Sequence, residues 1–231
     1  MKTDVHIYGV HARDSMISAI VAKLNTPSVN VHYDDRSNGG GALYTAKKAW
    51  LAPVPEGITH RISLQDDVEV CDNFLEIAEQ IVVAHPKSII GLFPFDFMQR
   101  FSALEECDTP YFEPCTLSAC GIIMPIEYIQ PCFNYIKQRY NDACDDDYGI
   151  RDWARHNSVQ ILTTIPALIQ HLGDDSIANK GSPIRRTVYY EQNPKANWAS
   201  QKVMQYQIPE WFFSNHGKMR TDGGTLRVVA E

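Results

Sequence analysis

Apolar and polar positions along this chain switch repeatedly between strand spacing and helical spacing, and the switches predict its elements. Asp4 to Val10 reads as a first strand, and Asp14 to Leu24 (DSMISAIVAKL) follows at helical spacing, with Asp14 or Ser15 as its N-cap. Val29 to Tyr33 reads as a second strand ending in Asp34-Asp35, and Ala42 to Leu51 as a second helix. In residues 58 to 67, Ile58, Ile62 and Leu64 give a third strand, which runs into Gln65-Asp66-Asp67. Buried unpaired acids are costly, so this strand should stop where they begin. Phe74 to Ala84 (FLEIAEQIVVA) reads as a helix stopped by His85-Pro86, and Ser88 to Phe93 as an apolar strand.

The alternation through residue 93 predicts a parallel sheet with covering helices. Strand ends then gather on one side of the sheet: His11 to Arg13, Asp34 to Arg36, and Gln65 to Asp67. No GxGxxG follows the first strand and no GxxxxGK[ST] occurs, so neither a dinucleotide fingerprint nor a Walker loop is present. The segment GGGALYTAKK has glycines and lysines without that spacing and reads as a connection. Residues 94 to 116, rich in Phe and Pro, read as a loop. Thr116 to Pro125 is a strand with Gly121 where a larger side chain would obstruct something, and Ile126 to Tyr140 is a helix. The acidic run Asp145-Asp146-Asp147 opens a further helix carrying Ile150 and Trp153. Ile161 to Ile165 is a short strand, followed by Pro166 to Gly173; from Gly181 the chain is polar and aromatic and reads as an extension packed on the core.

At 231 residues and 44% hydrophobic, the chain can bury one large core, so one α/β domain with a C-terminal extension is the simplest fit. A net charge of -7 gives no overall attraction to nucleic acid or anionic membrane. No apolar run reaches the length of a membrane span, and the N-terminus lacks the pattern of a signal peptide, so a cytoplasmic protein without membrane association is expected. Six cysteines lie at wide spacings with no CxxC, which favours buried reduced thiols over zinc or disulfides.

Three groups carry candidate chemistry. Asp66 and Asp67 at a strand end offer hard oxygen ligands for a cation, or else serve a turn or helix cap. Among Asp145, Asp146 and Asp147, one is an N-cap, and crowding raises the pKa of at least one other, which suits a general base. His171, taken alone, reads as a histidine packed or capping at a loop.

The order Gln65-Asp66-Asp67, Ser118-Ala119-Cys120-Gly121, Asp145-Asp146-Asp147 and Pro166-x-Leu168-x-x-His171 resembles the nucleotide-sugar glycosyltransferases of the GT-A fold, family 2-like, across residues 4 to 177. That resemblance implies a single α/β domain with a Rossmann-like, mostly parallel sheet flanked by helices at 1–180. Residues 1–95 would be its nucleotide-binding half and 96–180 its acceptor half, with 181–231 as the extension. It implies Mn2+ or Mg2+ held by Asp67 and His171, and a nucleotide-sugar donor, a UDP-sugar first. Asp66 would reach the ribose or a metal-bound water. His11, Arg13, Asp34 and Arg36 would contact the nucleotide, while Asp147, then Asp146, would be the base of an inverting transfer. Gln65 departs from the pattern, since many relatives carry an acid there.

The implied partner is a hydroxyl-bearing acceptor: a glycan, a protein or a hydroxymethylated base in phage DNA, as the chain is similar in length and architecture to small bacteriophage transferases that modify nucleobases. Arg185, Arg186, Lys195, Trp198, Lys202, Trp211, Phe212, Lys218 and Arg220 offer material for DNA contacts. Two other classes remain at this stage: a metal-dependent nucleotidyltransferase, which would want a glycine-rich loop after the first strand, and a non-catalytic nucleotide-sugar or glycan-binding module. Oligomeric state is not legible in the sequence.

Overall fold

The computed structural model describes residues 2–35, 42–94, 109–112, 117–173, 186–187, 189–204, 219–222 and 225–228. Within these, the central sheet has seven strands in the order β2-β1-β3-β7-β5-β8-β6. They are β1 (Thr3–Gly9), β2 (Val29–Tyr33), β3 (His60–Gln65), β5 (Ile89–Gly91), β6 (Tyr111–Phe112), β7 (Gly121–Pro125) and β8 (Ile161–Thr164). Five run in one direction, while β7 and β6 run against it. The mixed α/β, mostly parallel, helix-flanked sheet expected from the sequence is therefore present. A second small sheet joins β4 (Val68–Val70) to β9 (Ile169–His171), and β10 (Met219–Asp222) pairs with β11 (Thr225–Val228).

Helices cover both faces. On one face α1 (Asp14–Leu24) and α3 (Phe74–Ala84) pack Ile17, Ile20, Phe74 and Ile81 onto Val5, Ile7, Ile62 and Leu64. On the other, α2 (Ala42–Trp50), α4 (Ile126–Tyr140) and α5 (Asp146–His156) pack Trp50, Ile129, Phe133 and Trp153 around Tyr8, Ile122 and Met124. Gly121 allows the close packing its position predicted, because a Cβ there would fall 2.5 Å from Ile169 Cδ1. None of the helices among the described residues is long and apolar enough to cross a membrane.

The second face of β1 and β3 is polar yet buried. Asp4, His6, Arg61 and Ser63 all lie inside, against α2. Arg61 is the centre of this layer: its Nη2 donates to Asp4 Oδ2 at 2.6 Å, and its Nη1 donates to the carbonyls of Ala49, Trp50 and Ala52 at 3.2, 2.8 and 2.8 Å. A helix leaves its last carbonyls without intrahelical partners and carries partial negative charge there. The buried guanidinium answers both, which is how α2 ends against the sheet. His6 completes the layer, bonded to His32 at 2.8 Å and to Asp4 at 3.1 Å.

Residues 189–204 pack against the core. Tyr111 donates to the Trp198 carbonyl at 2.5 Å, His85 Nε2 bonds the Ser200 carbonyl, and Trp198 is only 4% exposed. Trp198 is core, which removes it from the aromatic residues available to a nucleic acid. Cys71, Cys120, Cys132 and Cys144 carry free thiols, the first three buried; Cys107 and Cys115 lie outside the described residues.

Candidate functional site

Parallel pairing decides which side chains meet. Tyr8 lies opposite Gln65 and Gly9 opposite Tyr33, so β1, β3 and β2 end at one edge and deliver His11 to Arg13, Asp66-Asp67 and Asp34-Asp35 to it. Because β7 is antiparallel, it starts at that same edge, where Leu64 faces Gly121 and the Gln65 amide donates to the Cys120 carbonyl at 3.1 Å. The turn before β7 in turn receives α5, since the Ala119 amide donates to Asp147 Oδ2 at 3.1 Å.

Asp66 and Asp67 are each 4% exposed. Asp66 accepts from the Val10 amide and from Arg13 Nη1, both at 2.8 Å. Gly9 makes that approach possible: a Cβ there would lie 2.2 Å from the Asp66 side chain. Burial raises the Asp66 pKa, and Arg13 and Val10 only partly counter it. Asp67 Oδ2 meets Arg13 Nη1 at 2.6 Å and His171 Nε2 at 3.2 Å. Burial acts to raise its pKa too, but the hydrogen bond and attraction of His171, with Arg13, outweigh it and leave the carboxyl below its ordinary value.

His171 arrives through β9, whose pairing with β4 sets Val68 opposite His171, and the Leu172 amide donates to the Asp67 carbonyl at 2.7 Å. Gly173 closes the corner, because a Cβ there would fall 2.4 Å from Asp67 Oδ2. Asp67 Oδ1 and His171 Nδ1 are buried without a hydrogen-bond partner in the structure. A carboxylate oxygen and an imidazole nitrogen form a donor set suited to a divalent ion such as Mn2+. Among the described residues, no group of three or more His, Cys, Asp or Glu is gathered to hold a metal.

The acidic run takes separate positions. Asp145 stands at the N-cap of α5 with extended backbone and without a side-chain capping bond; its carbonyl takes the first helical bond, from Gly149. Asp147, part-buried, accepts from the Tyr148 amide at 2.7 Å as well as from Ala119. Burial raises its pKa against both amides. Asp146 is buried and accepts from Trp50 Nε1 at 3.3 Å. Burial first, and the neighbouring Asp147 charge second, push its pKa up to about 7.

Asp146 thus keeps a proton between about pH 4, where an unfolded Asp loses it, and about pH 7. Over that window the folded state binds more protons than the unfolded one, so the charged carboxylate costs stability above pH 7 and the cost fades toward pH 4. Asp146→Asn is expected to raise the melting temperature at pH 8 and to leave it near the wild-type value at pH 4.5. A variant no more stable at pH 8 would contradict the assignment.

Where β1 and β2 end, His11 stacks on Tyr33 with ring centroids 3.9 Å apart and 14° between planes. The Asp34 amide donates to the Gly9 carbonyl at 2.8 Å, which holds the end of β2 beside β1. Arg36 and the rest of the glycine-rich loop lie outside the described residues. Neither Asp14 nor Ser15 caps α1: a 3-10 turn, His11–Arg13, runs straight into the helix, and Arg13 occupies the cap position with no side-chain capping bond. Sequence reasoning missed Tyr33, Tyr8 and Gly9. Tyr8 donates to the Ala119 carbonyl at 3.0 Å and so ties β1 to the turn that receives Asp147, a bond of which its place inside a strand gives no local sign. Gly9, small and one residue from the loop, was the one available signal.

No family model and no curated protein matches the sequence. Among solved structures, the chain is similar to the A197 protein from STIV, with TM-score 0.47 and 9% identity over 85% of this chain and 97% of that one. It is also similar to the galactosyltransferase LgtC in complex with donor and acceptor sugar analogs, with TM-score 0.40 and 9% identity over 70% of this chain and 72% of that one.

Proposed function

We propose that the protein transfers a sugar from a nucleotide-sugar, a UDP-sugar first, to an acceptor hydroxyl, with Mn2+ or Mg2+ held by Asp67 and His171. The observation that carries the reading is the meeting of these two residues at the carboxyl edge of a parallel sheet, each with a buried polar atom left without a partner. Bound there, the ion would neutralise the leaving diphosphate as a Lewis acid.

Every other part of the task falls to the chain itself. His11 and Tyr33 offer a flat face for a base, and Asp34 offers an acceptor at the neighbouring strand end. Asp66 holds Arg13 and the loop after β1 in register. Asp147, with its raised pKa and its partial exposure, is the group to take the acceptor's hydroxyl proton at a carboxylate oxygen. Asp146, buried against Trp50, supports it from behind. A hydroxymethylated DNA base finds no added support as acceptor, since Trp198, an aromatic of the C-terminal segment within the described residues, is core.

The test is a thermal-shift screen of UDP-, GDP- and CMP-sugars with and without Mn2+. A UDP-sugar at about 100 times its Kd stabilises by about 2.7 kcal/mol, a rise of roughly 5–10 °C for a chain of this size. Slow release of free sugar should accompany it. No shift with any donor plus Mn2+ would defeat the reading, and a shift without sugar release would leave a binding module.

A further inference from the structure

We propose that Arg13 is a cation built into this site, which holds Asp67 until a divalent ion binds and then turns to the donor's diphosphate. The inference rests on the reading above and adds an exchange step to it. Arg13 Nη1 lies 2.8 Å from Asp66 Oδ1 and 2.6 Å from Asp67 Oδ2, so one guanidinium spans both carboxylates. Its side chain is 16% exposed and theirs are 6%, so the three charges meet largely out of water.

Local rules speak against an arginine in this place. It stands at the N-cap of α1, where partial positive charge makes a cation unfavourable and a Ser, Thr, Asp or Asn would cap. A residue that breaks a local rule marks a site whose use lies elsewhere. Here the carboxylates are that use.

Charge balance then demands exchange. Asp66, Asp67 and Arg13 sum to one negative charge. Adding a divalent ion with Arg13 in place would leave one positive charge in a buried pocket, whereas adding it as Arg13 leaves gives neutrality. Asp67 Oδ2 is also already shared between Arg13 and His171. The released guanidinium needs an anion, and a diphosphate matches its planar fork. The 3-10 turn that carries it, His11–Arg13, is three residues long with none of them buried, so it can redirect the side chain without disturbing the sheet.

The experiment titrates Mn2+, without nucleotide, into wild type, Arg13→Gln and Arg13→Lys, following bound ion by electron paramagnetic resonance. Arg13→Gln is expected to bind Mn2+ about tenfold tighter or more, the loss of a charged hydrogen-bonded competitor. Arg13→Lys keeps the charge but not the fork and should fall between, so the proposal stands testable if the Gln variant does not fold. With saturating Mn2+, UDP should bind the Gln variant more weakly than wild type, the opposite direction. Mn2+ affinity unchanged or weakened in both variants would overturn the exchange while UDP and Mn2+ binding to wild type kept the transferase reading. Absence of Mn2+ binding in all three proteins would remove the metal site and the exchange together.

Discussion

Asp67→Asn is expected to lower sugar transfer by at least about a hundredfold, the scale on which a single transition-state charge contact acts. The substitution preserves shape, so the β4–β9 corner and the Leu172 bond to the Asp67 carbonyl stay in place. What it removes is the charge opposite Arg13 and His171. The fold holds this carboxyl below its ordinary pKa, so the ionised form contributes to stability and its loss should cost about 1–3 kcal/mol, a few degrees of melting temperature. Transfer and Mn2+ dependence measured beside a melting curve separate the two effects. Undiminished turnover in a folded variant would end the metal assignment of Asp67.

Arg61→Leu should produce the largest loss of stability. The guanidinium is fully buried, and its removal leaves Asp4 as a buried charge supported by His6 alone, together with carbonyls of Ala49, Trp50, Ala52 and Pro53 stripped of their donor. Breaking a buried pair on one side costs about 3–5 kcal/mol, which in a chain of this length is roughly 10 °C in melting temperature. A double variant, Asp4→Asn with Arg61→Leu, should recover part of that loss because no unpaired charge remains. If Arg61→Leu unfolds in urea at the wild-type midpoint, the layer between sheet and α2 is not the support described.

Much of the fold could be read residue by residue. The period of apolar positions located β2, α1, α3 and α4 at the bounds they have, and predicted that the third strand would end at Gln65. It could not locate β4, because Val68–Val70 is too short to show a period and exists through its pairing with β9. Nor could it orient β7, since antiparallel and parallel strands bury the same side chains. Asp4 and His6 are polar positions of β1, yet the face that holds them is closed by Arg61 and α2.

The candidate site divides the same way. Acids at the end of β3, the acidic start of α5 and His171 near its glycine were all visible, because polar residues that break an apolar pattern stand out locally. Their joint geometry was not. Arg13 bridging two aspartates, Tyr33 under His11 and Ala119 holding Asp147 depend on which strands pair and in which direction. The sequence by itself determined where the longer strands and the helices lie and which polar residues sit at their ends, for both follow from spacing along one chain. Only the tertiary structure decided that Asp67, Arg13 and His171 meet, because β1–β3 and β4–β9 registers bring them together across long stretches of sequence that carry no local record of the contact.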